Sequence, residues 1–413
     1  MERRRVVVTG MGAVTPVGLN VPESWNAVRS GTCGIAPITQ YDPAGMKVQL
    51  AAEVKGFQPD ELFGKAEARR MGRFTQFALA AARETLADSG FQVENANPRR
   101  CGVIVSSGIG GIGITENEHD RGLEKGWDRV SPFFIPSGIC NMAAGRVSIE
   151  SGFQGMSTCP VTACAGGTNA VGDAFHYIRD GYAEVMLCGG TEAALTPLAV
   201  GGFTSMKALS QSTDPNRASI PFDAERNGFV MGEGAGILLL EELEHALARN
   251  AKIYAEITGY GATCDAYHMT APRPDGSGGA EAMAIALADG GAKPEDVDYI
   301  NAHGTSTQLN DAGETAAVKT VFGSHAAKLA VSSTKSMTGH MLGAAGAVEA
   351  IFTVLALRDG FLPATIHYQV PDPACDLDIV PNQGRRSEIK IALSNSLGFG
   401  GHNAAIALKK WEG

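Results

Sequence analysis

Thr9-Gly10-Met11-Gly12-Ala13 and Thr258-Gly259-Tyr260-Gly261-Ala262 share the pattern T-G-x-G-A, and each closes a β-rich run, residues 5–9 in the first case and 253–258 in the second. The echo hints at a duplicated half, with a boundary near residue 250 and halves of 1–250 and 251–413. Four matches in five positions, in a chain of 52 glycines, do not establish it alone. Outward from these segments, short β-branched runs at 103–106, 184–188, 237–240, 329–333 and 389–393 read as further strands. Between them, 25–29, 73–90, 169–180 and 278–287 carry apolar residues at helical spacing and often end in glycine. Alternation of this kind predicts a layered α/β protein with helices on the sheet faces.

Composition bounds the function. The 413 residues, 44% hydrophobic and 19% charged, can bury a large core as one big domain or two fused ones. A net charge of −10 argues against general nucleic-acid binding, which needs a basic face to neutralise phosphates. The start, Met1-Glu2-Arg3-Arg4-Arg5 before Val6-Val7-Val8, has too short an apolar run for a signal peptide and reads as a first buried strand. Residues 346–357 form the longest apolar stretch, but they include Glu349 and are too few to cross a bilayer, so a buried helix and no membrane anchor are expected. Eight cysteines scattered singly suit a reducing cytoplasm. Cys159 and Cys164 form an isolated C-x4-C without the four converging ligands that zinc wants. Gly108-Ile109-Gly110-Gly111-Ile112-Gly113 follows a strand, yet its spacing fits a dinucleotide fingerprint poorly.

Three residues stand apart from this background. In Val161-Thr162-Ala163-Cys164-Ala165-Gly166-Gly167-Thr168-Asn169, the cysteine falls between a short extended segment and a helical pattern. At such a turn, unpaired N–H groups and the helix dipole favour thiolate and can hold an oxyanion. For an arbitrary cysteine, a small buried hydrophobe is the default reading, but the glycine-flanked turn reverses it. His303 in Asn-Ala-His-Gly-Thr-Ser-Thr and His340 in Thr-Lys-Ser-Met-Thr-Gly-His each follow a strand pattern (297–302 and 329–333) amid small and hydroxyl residues. One nucleophile and two bases in matching contexts suggest acyl transfer.

Taken together, Thr162-Ala163-Cys164, the His303 and His340 segments, and Gly398-Phe399-Gly400-Gly401-His402-Asn403 resemble the signatures of β-ketoacyl-acyl carrier protein synthases, over residues 5–408. Ser131-Pro132-Phe133-Phe134 and the segment from Asp265 to Thr270 resemble the type II elongating enzymes in particular. The resemblance implies the thiolase fold, a duplicated five-layered α/β/α/β/α arrangement. It also implies decarboxylative condensation of an acyl group held on Cys164 with malonyl-acyl carrier protein. By motif position, His303 and His340 would donate hydrogen bonds to the enolate, and the N–H groups of Cys164 and Phe399 would form the acyl oxyanion hole, with the Phe399 ring as a gate. Lys335 would tune the site; Thr305, Thr307 and Thr270 would bind the pantetheine arm. Ile109 and Phe203, with Phe134 of the partner subunit, would line the acyl pocket.

Glu349, on an otherwise apolar helix, must be paired or neutralised. The resemblance groups it with Asn301, Glu314 and Ser394, in relatives sometimes around a monovalent cation, while a buried pair with Lys335 reads equally well; no metal and no cofactor are expected. Three departures from the family pattern are Gly166 for a hydroxyl residue, Gln308 for proline and Leu397 for phenylalanine, which put rate and chain-length range in question. Lys65, Arg69 and Arg70, at helical spacing in 64–73, could dock an acidic carrier protein, with Lys125, Arg129 and Lys207 as further candidates and a plain solvated face as the alternative. The family's shared pocket suggests a homodimer. A type II polyketide ketosynthase would share every catalytic residue. A non-catalytic chain-length partner would lack the cysteine, a degradative thiolase would need a second cysteine where only Cys375 stands, and an initiating synthase would want asparagine in place of His340.

Overall fold

Ten strands hydrogen-bond into one mixed sheet in the computed structural model, which describes residues 3–413. They are β1 (Val6–Val14), β2 (Cys101–Ser106), β3 (Ser157–Thr158), β4 (Val185–Glu192), β5 (Gly234–Glu242), β6 (Ala255–Cys264), β7 (Tyr299–Asn301), β8 (Ala330–Ser332), β9 (Ile391–Gly398) and β10 (His402–Lys410). Their spatial order is β8-β7-β9-β10-β6-β1-β5-β4-β2-β3. Counted within each half, both runs read 3-2-4-5-1, with the same parallel and antiparallel neighbours. The two five-stranded parts meet only where Val6–Val8 of β1 pairs antiparallel with Ala255–Ile257 of β6.

Side-chain alternation builds the layers. In β5, Ile237 and Leu239 face one core while Leu238 and Leu240 face another; in β10, Ala405 and Ala407 are separated in the same way from Ala404, Ile406 and Leu408. Both faces of each sheet are therefore buried and must be covered. Helices α1 (Arg73–Ser89) and α2 (Met142–Ser151) cover the outside of the first sheet, and α4 (Ser277–Gly290) and α5 (Gln308–Phe322) that of the second. Between the sheets lie α3 (Gly166–Arg179) and α6 (Ala345–Asp359), giving α/β/α/β/α. Sandwiched on all sides, α6 is buried from Ala345 to Leu357, as a sequence apolar all round but for Glu349 and Thr353 requires. Among the described residues no helix is long and apolar enough to cross a membrane.

The T-G-x-G-A segments lie inside strands, not at their ends, so the first strand runs on to Val14 and the second to Cys264. A Cβ on Gly10 or Gly12 would stand 2.6 Å from the carbonyl of Thr85 or 2.0 Å from that of Ala81; on Gly259 or Gly261 it would stand 2.0 Å from the carbonyl of Ala286 or Ala282. In each half, two glycines two residues apart on the first strand receive two carbonyls four residues apart on the outer helix. The motif is a helix-on-strand contact used twice. Strand β10 was not anticipated, because its Ala-rich run has weak β propensity and it draws its order from pairing with β9 and β6.

Candidate active site

The site gathers where parallel strands end, the usual place for function in open α/β sheets. Ile109 lies three residues beyond β2, His303 two beyond β7, Lys335 three beyond β8, and Glu192 is the last residue of β4. Cys164 approaches from the central layer. It sits in a single 3-10 turn, Ala163–Ala165, that runs directly into α3, and Ala163 takes the left-handed conformation (φ 50°), costly for a residue with a Cβ. The extended segment expected before it is not a strand beyond Thr158.

Around the sulfur, the expected helix-start effect is outweighed. Burial is the largest influence and pushes the Cys164 thiol up to about 12, with Glu192 pushing the same way. Lys335 and backbone hydrogen bonds from the N–H groups of Phe399 and Cys164 pull it back. The resting nucleophile is thus a thiol with two N–H groups already directed at it. Those N–H groups come together because Gly398 lies against the cysteine turn: a Cβ there would be 2.9 Å from the Thr162 carbonyl and 3.2 Å from the Cys164 nitrogen. Beyond Phe399, Gly400 and Gly401 both have positive φ (86° and 75°), which folds the strand back and leaves the Phe399 ring 6.3 Å from the Phe203 ring.

The two histidines face each other edge to face, ring centroids 5.2 Å apart at 86°. Both are buried and both are held well below 6.5, first by burial and then by the Lys335 charge, with His340 adding to the effect on His303. They are neutral imidazoles. Neither ring nitrogen of His340 has a protein partner, nor has Nδ1 of His303, so their donors are free for a ligand. Backbones fix them: Glu314 accepts the N–H groups of His303 and Gly304, each at 2.8 Å, and the His340 N–H donates to the Val230 carbonyl at 2.7 Å. Phe229 packs edge-on against His340 at 5.2 Å.

Lys335 is fully buried and paired with Glu349. Burial pushes the Glu349 carboxyl up to about 7 while the lysine pulls it back. Asn301 and Ser394 are register partners on β7 and β9, and Asn301 Nδ2 donates to the Glu349 carbonyl at 3.4 Å. The second oxygen of Glu349, Asn301 Oδ1, Ser394 Oγ and Asn395 Oδ1 are buried without a protein partner. This oxygen-only donor set suits a hard monovalent cation, while among the described residues no group of three or more His, Cys, Asp or Glu gathers as a metal site. Asn395, which also donates to Glu314 at 3.4 Å, was missed; the signal was a polar run, Ser394-Asn395-Ser396, inside a buried strand.

A cavity of about 420 Å³ opens onto Cys164, His303 and His340, with Thr270, Thr305, Thr307, Phe203 and Phe399 on its walls. Thr305 and Thr307 place their hydroxyls 3.0 Å apart, across a Ser306 held at φ 71°. Ile109 packs with Phe203 into the apolar cluster that contains Cys164. Phe134 does not reach the cavity of its own chain; it lies in the short helix Phe134–Gly138, close to Gly138. Of the departures, Gly166 has a direct cause, because a Cβ there would meet the Ser106 hydroxyl at 2.0 Å, and that hydroxyl donates to the Pro160 carbonyl at 2.7 Å. The Ser106 hydroxyl, from a neighbouring strand, thus occupies the place a side chain at 166 would take. Gln308 is the first residue of α5, a position where proline fits equally well, and Leu397 lines the cavity. Cys375 belongs to another core, its thiol pushed up to about 11 by burial.

Lys65, Arg69 and Arg70 are all exposed, but the helical stretch expected over 64–73 is broken: helix Lys65–Ala68 stops, and α1 starts only at Arg73 after Gly72. Arg70 is engaged with Glu67 at 2.8 Å and lies 5.3 Å over the Phe133 ring.

A thiol beside two preformed N–H donors, facing paired neutral imidazoles in a duplicated five-layered fold, places the protein in the thiolase-type class of acyl-transferring condensing enzymes. The chain belongs to the β-ketoacyl synthase family, matching its N-terminal domain over residues 3–246 and its C-terminal domain over 254–369. It is 52% identical over 413 residues to 3-oxoacyl-[acyl-carrier-protein] synthase 2 of Synechocystis sp., covering 100% of this chain and 99% of that protein. It is 51% identical over 411 residues to the Staphylococcus aureus protein of the same name, again covering 100% and 99%. Among solved structures it is similar to the ishigamide ketosynthase/chain length factor (TM-score 0.93, 37% identity, 99% and 100% covered). A type II polyketide synthase acyl-carrier protein in complex with its ketosynthase bound to the hexaketide gives a TM-score of 0.90 at 37% identity, with 99% and 100% covered.

Proposed function

We propose that this protein elongates fatty acyl chains by decarboxylative Claisen condensation. The Cys164 thiol attacks the thioester of an acyl-acyl carrier protein; its proton passes to the departing phosphopantetheine thiol, and the acyl group stays on sulfur. The N–H groups of Cys164 and Phe399 hold the oxyanion of that exchange. Malonyl-acyl carrier protein then enters beneath Thr305, Thr307 and Thr270. Carbon dioxide leaves, and the electron pair of the broken C–C bond forms an enolate whose oxygen accepts hydrogen bonds from His303 and His340. The enolate carbon attacks the acyl-enzyme, Cys164 leaves as thiolate and takes a proton from solvent to restore the resting thiol, and the β-ketoacyl product remains on the carrier protein. The observation that carries this reading is the pair of neutral, unpartnered imidazoles 5.2 Å apart in the cleft that holds the cysteine. Full-length identity of 51–52% to two proteins named for this activity favours fatty acid elongation over the polyketide reading, and the presence of Cys164 speaks against a silent chain-length partner.

The test is incubation with C10 to C16 acyl-carrier proteins and malonyl-carrier protein, with acyl-enzyme and β-ketoacyl product followed by mass spectrometry. Wild type should form both; Cys164→Ala and Cys164→Gln should form neither, while Cys164→Gln still releases carbon dioxide. Absence of acyl-enzyme from wild type at every chain length would overturn the reading.

The chain would carry no cofactor of its own, since its substrates bring the pantetheine, and the oxygens of Glu349, Asn301, Ser394 and Asn395 would hold at most a structural monovalent cation. Eight free thiols suit a reducing cytoplasm. Exposed Lys65, Arg69 and Arg70 would dock the acidic carrier. Their neutralisation should raise KM severalfold for carrier-bound substrates and leave small thioesters unaffected; equal effects on both would refute the docking role. A homodimer is supported by an apolar face at Trp127, Phe133, Ile135 and Ile139, all exposed, and by β3, which ends its sheet with a free edge. There Phe134 of the partner subunit would complete the acyl pocket. Sedimentation at micromolar concentration should give twice the 43.0 kDa of one chain, and a species of single-chain mass would refute the dimer.

A further inference from the structure

Glu192 has no part in the chemistry above, yet it is completely buried and makes the densest set of hydrogen bonds in the site. Its Oε1 accepts the Ser107 hydroxyl at 2.9 Å and the Ile109 N–H at 3.2 Å; its Oε2 accepts the N–H groups of Gly108 at 2.8 Å and Gly343 at 3.0 Å. These donors come from two loops, one carrying Ile109 and the other three residues past His340. The loops are packed backbone against backbone: a Cβ on Gly343 would stand 2.5 Å from the Gly108 nitrogen, and one on Gly190 would stand 2.1 Å from the Gly343 carbonyl. Three of the four donors are backbone N–H groups that cannot reverse their role, so the position demands a group with an accepting oxygen on each arm, as a carboxyl group has. Burial pushes this carboxyl up and the four donors pull it back, and its charge is felt at the Cys164 sulfur.

We propose that Glu192 is a positioning residue for acyl-chain selection, fixing Ile109 on the pocket wall beside Cys164 while tying that wall to the His340 loop through Gly343. The inference rests on the reading of Cys164 as the acyl-bearing nucleophile. The substitution Glu192→Gln separates the two tethers by chemistry alone. With one oxygen and one NH2, the amide keeps its oxygen on Gly108 and Gly343 and turns the NH2 to Ser107, whose oxygen accepts from Gly110 at 3.0 Å and has a second lone pair. The Ile109 N–H then loses its acceptor and is opposed by the NH2, and the Ser107 O–H, which donated to the same oxygen, must turn away from it.

The experiment compares wild type and Glu192→Gln for acylation of Cys164 by C8 to C16 acyl-carrier proteins, each by kcat/KM, and for carbon dioxide release from malonyl-carrier protein alone. The expected result is about a tenfold change in the ratio of kcat/KM between the longest and shortest donors, the scale of one obligate buried hydrogen bond, with decarboxylation within about threefold of wild type. A uniform fall at all lengths and in decarboxylation would mark a merely structural residue, and an unchanged ratio would equally overturn the proposal. Should Glu192→Gln fail to fold, Ser107→Ala, which removes one donor from the same Oε1, is expected to change the ratio by a smaller factor, and no change there would overturn it. If wild type acylates at no length, the underlying function fails instead, a result distinct from an unchanged ratio.

Discussion

His303→Ala and His340→Ala are each expected to slow decarboxylation of malonyl-carrier protein by roughly a hundred- to ten-thousand-fold while changing acylation of Cys164 by about tenfold or less. In the proposed mechanism each imidazole would offer a preorganised donor to an oxygen that becomes negative only as carbon dioxide leaves, in a buried cleft where such donors count most. In the proposed mechanism acylation uses a different oxyanion hole, the N–H groups of Cys164 and Phe399, and would escape the loss. The double variant should be little worse than the more damaged single one, because the two donors serve one developing charge. Stopped-flow release of carbon dioxide and mass-spectrometric acylation measure the two halves; equal loss in both would contradict the division of labour.

The same histidines set a pH dependence of stability whose sign follows from their depressed values. Folded, both stay neutral well below 6.5, whereas in the unfolded chain they protonate near 6.5. As pH falls through 6.5 the unfolded state takes up protons that the folded state refuses, and stability is lost at about 1.4 kcal/mol per histidine per pH unit. Urea unfolding at pH 7 and pH 5.5 should therefore show a smaller acid loss for either alanine variant than for wild type.

Much of the site was legible because its chemistry is local in sequence. A cysteine before two glycines needs only a turn to become a helix-start nucleophile, and the glycines of T-G-x-G-A mark a helix contact that any layered duplication must repeat. What escaped was set by distance in the chain. The thiol's protonation state depends on its burial and on Phe399, Glu192 and Lys335, which reach it from distant parts of the chain, so the helix-start argument gave the geometry and not the protonation state. Glu192 itself lies four residues past the strand read at 184–188 and drew no attention, since its donors at 107–109 and 343 come from loops far away in sequence. Phe134 lies away from the cavity of its own chain, and its assigned place in the acyl pocket rests on the proposed dimer. Strand β10 is weak alone and became a strand through two neighbours that precede it in the chain.

Lys335→Met should cost about 3–5 kcal/mol of stability, because it leaves Glu349 buried and without its cation, the expensive way to break a buried pair. Replacing both partners, Lys335→Met with Glu349→Leu, should recover most of that loss, since well-packed apolar groups can substitute for a buried ion pair. Catalysis should not recover with the fold. The Lys335 charge helps to hold both imidazoles below 6.5 by making imidazolium costly. Without it protonation becomes easier, so the acid limb of the decarboxylation profile should move to higher pH in the double variant, toward the ordinary histidine range. The thiol of Cys164 shifts in the opposite functional sense: losing a nearby positive charge removes a stabiliser of thiolate, and alkylation by iodoacetamide should slow at any fixed pH. A double variant that folds like wild type and keeps the wild-type acid limb would show that Lys335 serves only to neutralise Glu349. A moved limb on a restored fold assigns the lysine to the chemistry of the histidines.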